Sequence, residues 1–333
     1  MVLRVAAGWD ECRAMTTNLR WSPLRAAGWV AVLTLAGGPA AAQVHKITPD
    51  FPAKPVVFAE GFGGCEGIAF NGEGGLFVSG AKALWRLKPD GSRQKLADLD
   101  SNLGVTAYGP RDVLVADFGP TNAFKQDRNH DGIVWRITPE GQKTALVTGI
   151  GDPNFILVLK DGRMLISDDA TNEVFVADGA GGLKLFTTAV NHPNGLALSL
   201  DGQTLYVAQI FQSIRPVVPD NQVWAIPLAD GKPVRGARLA TRTGPDAAND
   251  GLALDRLGRL YIAANNEGKV WRFDPATEEM LLICEGVYGV ASLAFGEGEF
   301  DHKALYLTTT YAAGRGGKVY KVDAGIEGAP LHR

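Results

Sequence analysis

One layout recurs along this chain and restricts what it can fold into more than any other property. A polar residue leads into small and aliphatic residues, a Gly or Asp-Gly turn follows, and a second apolar run comes after. It is plainest at Asn249-Asp250-Gly251-Leu252-Ala253-Leu254. It returns as Cys65-Glu66-Gly67-Ile68-Ala69-Phe70, Pro153-Asn154-Phe155-Ile156-Leu157 and Pro193-Asn194-Gly195-Leu196-Ala197-Leu198. Self-similarity at a period of roughly 40 to 50 residues is the mark of stacked supersecondary units. Each unit reads as short strands joined by turns such as Pro89-Asp90-Gly91 and Pro139-Glu140-Gly141. No amphipathic helical run separates them, so an α/β arrangement is not supported.

The units open near Glu66, Val105, Asn154, Asn194, Asp250 and Ala291, and the last stops one strand short. Residues 56–59 look like the missing strand. The expected fold is therefore all-β: a six-bladed β-propeller of four-stranded blades, closed by the N-terminal strand, which protects the sheet edges. In a blade the innermost strand leaves one face and the second returns to it. The residue opening each innermost strand and the loop after each second strand must then share a face. Glu66, Asn154, Asn194 and Asp250 should ring the channel there. Long loops at 119–131, 210–222 and 309–317 should wall a pocket above them, lined by Phe124, Phe211, Ile214, Arg215, Tyr311 and Arg315.

The first 42 residues differ in kind. Arg20 and Arg25 precede an apolar stretch at 26–36, then Gly37-Gly38-Pro39 and Ala40-Ala41-Ala42, the pattern of a secretory signal peptide with a small-residue cleavage site. That stretch falls short of the roughly 18 residues needed to span a bilayer, so no stable membrane anchor is expected. The mature domain is expected at 43–333, periplasmic or secreted. A formal charge of −3 gives no basic excess for nucleic acid, and a monomer is expected. Cys65 and Cys284 survive cleavage, but they fall on non-adjacent blades, too far apart for a disulfide.

Two carboxylates and two amides converging on a narrow channel offer hard oxygen donors without sulfur or imidazole. That suits one divalent cation, Ca²⁺ first, with Mg²⁺ or Mn²⁺ as alternatives. Two carboxylates about 6 Å apart at an effective dielectric near 20 repel by about 3 kcal/mol, which a divalent cation removes. Taken singly, each residue could equally cap a strand start; four in one register point to a site. Asp127, Asn129 and Asp131 resemble the first half of a calcium loop, although Thr138 stands where an EF-hand needs Glu. His192, two residues before Asn194, is a candidate base or simply a solvated loop residue.

Glu66-Gly67, Pro153-Asn154, Asn194-Gly195-Leu196-Ala197 with Ser199 and Asp201, and Asp250-Gly251 with Gly258-Arg259-Leu260-Tyr261 resemble the senescence-marker-protein (regucalcin)/gluconolactonase family over essentially the whole mature chain. The resemblance implies a divalent-metal-dependent hydrolase of lactones or related esters. It implies Glu66, Asn194 and Asp250 as metal ligands, Asn154 as a fourth ligand or substrate contact, and Asp250 in the proton-transfer role beside Glu66. One departure is Phe155, where sugar-lactone members carry Asp, which leaves a more apolar lactone open. No Gly-x-Ser-x-Gly elbow supports a serine hydrolase. The alternative is a non-catalytic propeller that binds a ligand or protein and keeps a structural cation.

Overall fold

The computed structural model describes residues 49–101, 103–121, 129–310 and 317–333. These build six sheets of antiparallel strands and a separate two-stranded hairpin, with no helix among them. Blade one runs through Cys65–Phe70, Leu76–Gly80, Ala83–Leu87 and Arg93–Asp98, each strand pairing with the next. Blades two to five repeat the order from innermost strands Val105–Tyr108, Pro153–Val158, Pro193–Leu198 and Asn249–Leu254. Blade six takes Val290–Phe295, Ala304–Thr309 and Lys318–Asp323, and Val56–Glu60 pairs antiparallel with the last of these. This is a six-bladed propeller of four-stranded blades.

Position in the blade governs composition. Second strands such as Leu76–Gly80, Met164–Asp168 and Leu260–Ala264 are buried along their whole length, because neighbouring blades cover both faces. The outermost Arg93–Asp98 is mostly exposed and carries the charges. Hydrophobic side chains collect into six buried clusters, and each joins two adjacent blades. The seam between blades six and one is aromatic. Phe70 meets Phe300 edge-on at 5.1 Å, and Phe58 meets Tyr306 at the same distance. Edge-to-face contacts of this kind add about 0.5–1.5 kcal/mol each beyond area burial.

Cys65 and Cys284 are both buried free thiols. Burial pushes each thiol up to about 12, so neither ionises near neutrality. The long loop of blade four carries strands of its own: Phe211–Ile214 and Val217–Pro219 pair as a hairpin.

Candidate functional site

The four ring residues owe their aim to a repeated break in strand pairing. Between the first and second strands the register skips from Cys65 to Ile68, Pro153 to Ile156, Pro193 to Leu196 and Asn249 to Leu252. Blade six skips likewise from Val290 to Leu293, whereas blade two pairs regularly from Val105. Such a bulge turns a side chain out of the alternation of the strand. Glu66, Asn154, Asn194 and Asp250 are each the first residue inside one.

Each bulge is held from beneath or packed from beside. Ser79, Ser167 and Thr308, in equivalent positions of blades one, three and six, accept from the backbone N–H of Gly67, Phe155 and Ser292 at 2.9, 3.0 and 3.1 Å. Each hydroxyl then donates across the seam to the next blade. Ser79 reaches the Leu103 carbonyl at 2.6 Å, Ser167 reaches that of Asn194 at 2.8 Å, and Thr308 reaches that of Glu66. Where blades four and five carry Ala208 and Ala263 instead, glycine brings the backbones together: a Cβ on Gly195 would sit 2.3 Å from the Asp250 carbonyl oxygen. Phe155 occupies the corresponding place in blade three, and its ring packs into the core cluster of Leu159, Val190 and Leu196 between blades three and four. Its departure from the family pattern thus fills a seam between two blades.

Glu66 and Asn154 touch, Asp250 lies within electrostatic reach of Glu66, and two unanticipated residues join them. The Asn154 amide donates to Glu66 Oε1 at 3.2 Å and to Asp169 Oδ2 at 2.9 Å. Asn265 donates to Asp250 Oδ2 at 3.0 Å. Asp169 and Asn265 are the first residues after the second strands of their blades, and each bonds through its backbone N–H to the strand entry, at Asp152 and Ala248. Ala81, Ile210 and Thr310 make the same backbone bond in blades one, four and six. A second tier of residues therefore stands over the ring. Strand topology puts this register on the same face as the ring, but Asp169 and Asn265 open short loops and in the sequence look like ordinary turn residues.

Among the described residues, negative charge is concentrated here without a basic partner. Burial, then repulsion from Asp250, holds Glu66 well above the usual carboxylate range, although the Asn154 bond opposes the shift. Burial raises Asp250 in the same way, opposed by Asn265 and reinforced by Asp169. Asp169 is raised by burial, then by Asp168 and Glu66. Burial and the neighbouring Asp152 push Asp168 up to about 6.

The donors fit a hard cation. Asn194 is 1% exposed, and neither its amide nitrogen nor its oxygen has a hydrogen-bond partner among the described residues; Asp169 Oδ1 is buried in the same condition. Orphaned buried polar atoms are costly, about 1–3 kcal/mol each, and mark a place where a ligand belongs. Among the described residues no three His, Cys, Asp or Glu side chains converge as a cage by themselves. Two carboxylates and two amides make up the ring instead, so the amide oxygens are needed to complete any coordination.

The remaining candidates are more dispersed. Phe211, Ile214 and Arg215 lie on the blade-four hairpin, where Arg215 is exposed. Phe211 stands edge-on to His192, with centroids 6.3 Å apart. His192 Nδ1 donates to the Asp169 carbonyl at 2.8 Å, so the imidazole braces the second tier from the mouth. Phe124, Asp127, Tyr311 and Arg315 lie outside the described residues. Of the calcium-loop residues, Asn129 donates to Asp152 at 3.3 Å and Asp131 accepts from Thr121 at 2.6 Å.

Residues 80–311 match a family model described as SMP-30/Gluconolactonase/LRE-like region. Among solved structures, a calcium-binding regucalcin from Agrobacterium tumefaciens is similar at 19% identity, covering 85% of this chain and 98% of that one, with a TM-score of 0.65. A gluconolactonase from Xanthomonas campestris is similar at 21% identity, covering 81% and 89%, with a TM-score of 0.64. An aldose sugar dehydrogenase from Streptomyces coelicolor, in its PQQ-bound form, is similar at 17% identity, covering 82% and 99%, with a TM-score of 0.60. Likeness at these identities speaks to fold alone, and the dehydrogenase illustrates that one fold carries different chemistries. No curated sequence matches the chain significantly.

Proposed function

Because this chain belongs to the SMP-30/Gluconolactonase/LRE-like family, we propose that it is an exported hydrolase of lactones or related esters that uses one divalent cation, Ca²⁺ first, in the central channel. The observation that carries the reading is the ring of Glu66, Asn154, Asn194 and Asp250, with the buried Asn194 amide left without a partner. These four residues would hold the cation. When bound, it would polarise the carbonyl of the substrate and stabilise the negative charge that develops on it.

The work of the protein is to position and to move a proton. Asn265 engages Oδ2 of Asp250, which leaves the other oxygen to take a proton from the attacking water. Glu66, fixed through its carbonyl by Thr308 and through Oε1 by Asn154, supplies a second carboxylate two blades away. The hairpin bearing Phe211 and Arg215 would contact the substrate from above. Residues 1–42 would be removed on export, leaving Gln43 as the mature terminus. In the same reading Val56–Glu60 closes the ring, and its antiparallel pairing with Lys318–Asp323 supports this.

The test is metal analysis of the purified mature chain, joined to a panel of lactones and aryl esters assayed with and without chelator. Hydrolysis should disappear on chelation and return with Ca²⁺. Hydrolysis indifferent to complete metal removal would refute the metal-dependent reading, and a folded, metal-loaded protein inert on the whole panel would favour a binding role.

A further inference from the structure

The two tiers of the site are related by an exchange of residue types. In blade five the ring carries a carboxylate, Asp250, and the tier above it an amide, Asn265, which donates to Asp250 Oδ2 at 3.0 Å. In blade three the ring carries an amide, Asn154, and the tier above it a carboxylate, Asp169, which accepts from Asn154 at 2.9 Å. Both upper residues are fixed by the same backbone bond to the entry of their own blade. In each pair one side chain secures one end of the other.

Securing matters most for an amide. A carboxylate presents oxygen whichever way it turns, but an Asn can offer a cation either its oxygen or its nitrogen, and the second repels. The Asn154 nitrogen is engaged by Glu66 Oε1 and Asp169 Oδ2 together, so the oxygen is the end that remains for the ion. Among the described residues Asp169 has no ionic partner to explain its burial: it is 4% exposed, its Oδ1 is without a hydrogen bond, and His192 braces only its backbone carbonyl. A buried carboxylate with one oxygen on a ring amide and the other unsatisfied is poorly suited to a purely structural task.

We propose that Asp169 is a positioning residue of the cation site, setting the Asn154 amide so that its oxygen faces the ion and adding negative charge behind it. The proposal rests on the central channel binding a divalent cation, as inferred above. Residues that orient ligands from behind typically carry ten- to a hundredfold in metal affinity.

Calcium binding to the full mature chain, followed by titration calorimetry, tests it. Asp169→Ala should weaken Ca²⁺ binding by about ten- to a hundredfold. Asp169→Asn should lose less, because its amide oxygen can still accept from Asn154. The exchange variant Asn154→Asp/Asp169→Asn, which copies blade five into blade three, should bind more tightly than Asp169→Asn alone. Asp161→Asn, in the exposed turn between the first and second strands of the same blade, controls for net charge and should bind as the parent does. Affinity of Asp169→Ala within twofold of the parent would overturn the proposal. If that variant fails to fold, equal affinities for Asp169→Asn and the exchange variant would do so. A parent chain that binds no divalent cation would remove the proposal together with the reading beneath it, and that outcome is distinct because the unmodified protein itself is silent.

Discussion

At the scale of single residues, the site is a collection of acids that the fold keeps from water and from each other's counterions. Glu66→Gln and Asp250→Asn each preserve shape and hydrogen-bonding reach while removing a charge. Both should reduce lactone turnover by at least about a hundredfold, with melting in chelator no lower than the parent, since repulsion is relieved. Steady-state kinetics beside thermal unfolding would check this, and undiminished turnover in both would count against their role. The acids also predict a pH dependence. Glu66, Asp169, Asp250 and Asp168 hold protons more tightly folded than unfolded. The native state thus binds more protons once pH passes the unfolded value near 4, and stability falls as pH rises. The contribution of Asp168 should fade between about 4 and about 6, and those of the three channel acids over a range extending further upward. Melting curves in chelator from pH 4 to 8 should show this decline, and Ca²⁺ should flatten it.

At the scale of elements, the bulge is the unit that makes a ring residue. The hydroxyl of Ser167 serves two backbones, accepting from Phe155 N–H and donating to the Asn194 carbonyl. Ser167→Ala would orphan both in a fully buried setting and should cost about 1–3 kcal/mol. Loss of metal affinity should accompany it, because Asn194 rides on that carbonyl; chemical denaturation and calorimetry on one sample would separate the two effects. Much of this layer could be read in advance. The recurrence of Glu66-Gly67, Asn194-Gly195 and Asp250-Gly251 gave the blade count and the ring, since close approach of backbones imposes glycine there. Asp169 and Asn265 were less visible, because a single polar residue at a strand exit looks like any turn residue until its distance to the neighbouring strand is known. Phe155 stood out as a departure at a glycine position, but only three-dimensional packing reveals that its ring enters a seam.

At the scale of the molecule, six hydrophobic seams join the blades and carry the stability. The seam between blades six and one gains Phe58 and Ala59 from the strand Val56–Glu60. A chain beginning at Gly61 would lose both, expose the edge of Lys318–Asp323, and forfeit about 3–5 kcal/mol of apolar burial. Its melting temperature should fall by on the order of 10 °C, with aggregation detectable by light scattering as the open edge seeks a partner.

Thr308 ties Glu66 from across that same junction, so the first ring residue in the chain is seated by one of the last strands to be synthesised. A nascent fragment that ends before Thr308 lacks the hydroxyl that seats Glu66. Under the proposed function, ion capture would then act as a receipt for complete maturation: premature termination before residue 308 should impair ion binding, and the moles of ion bound per mole of chain would gauge how many molecules in a preparation have come full circle.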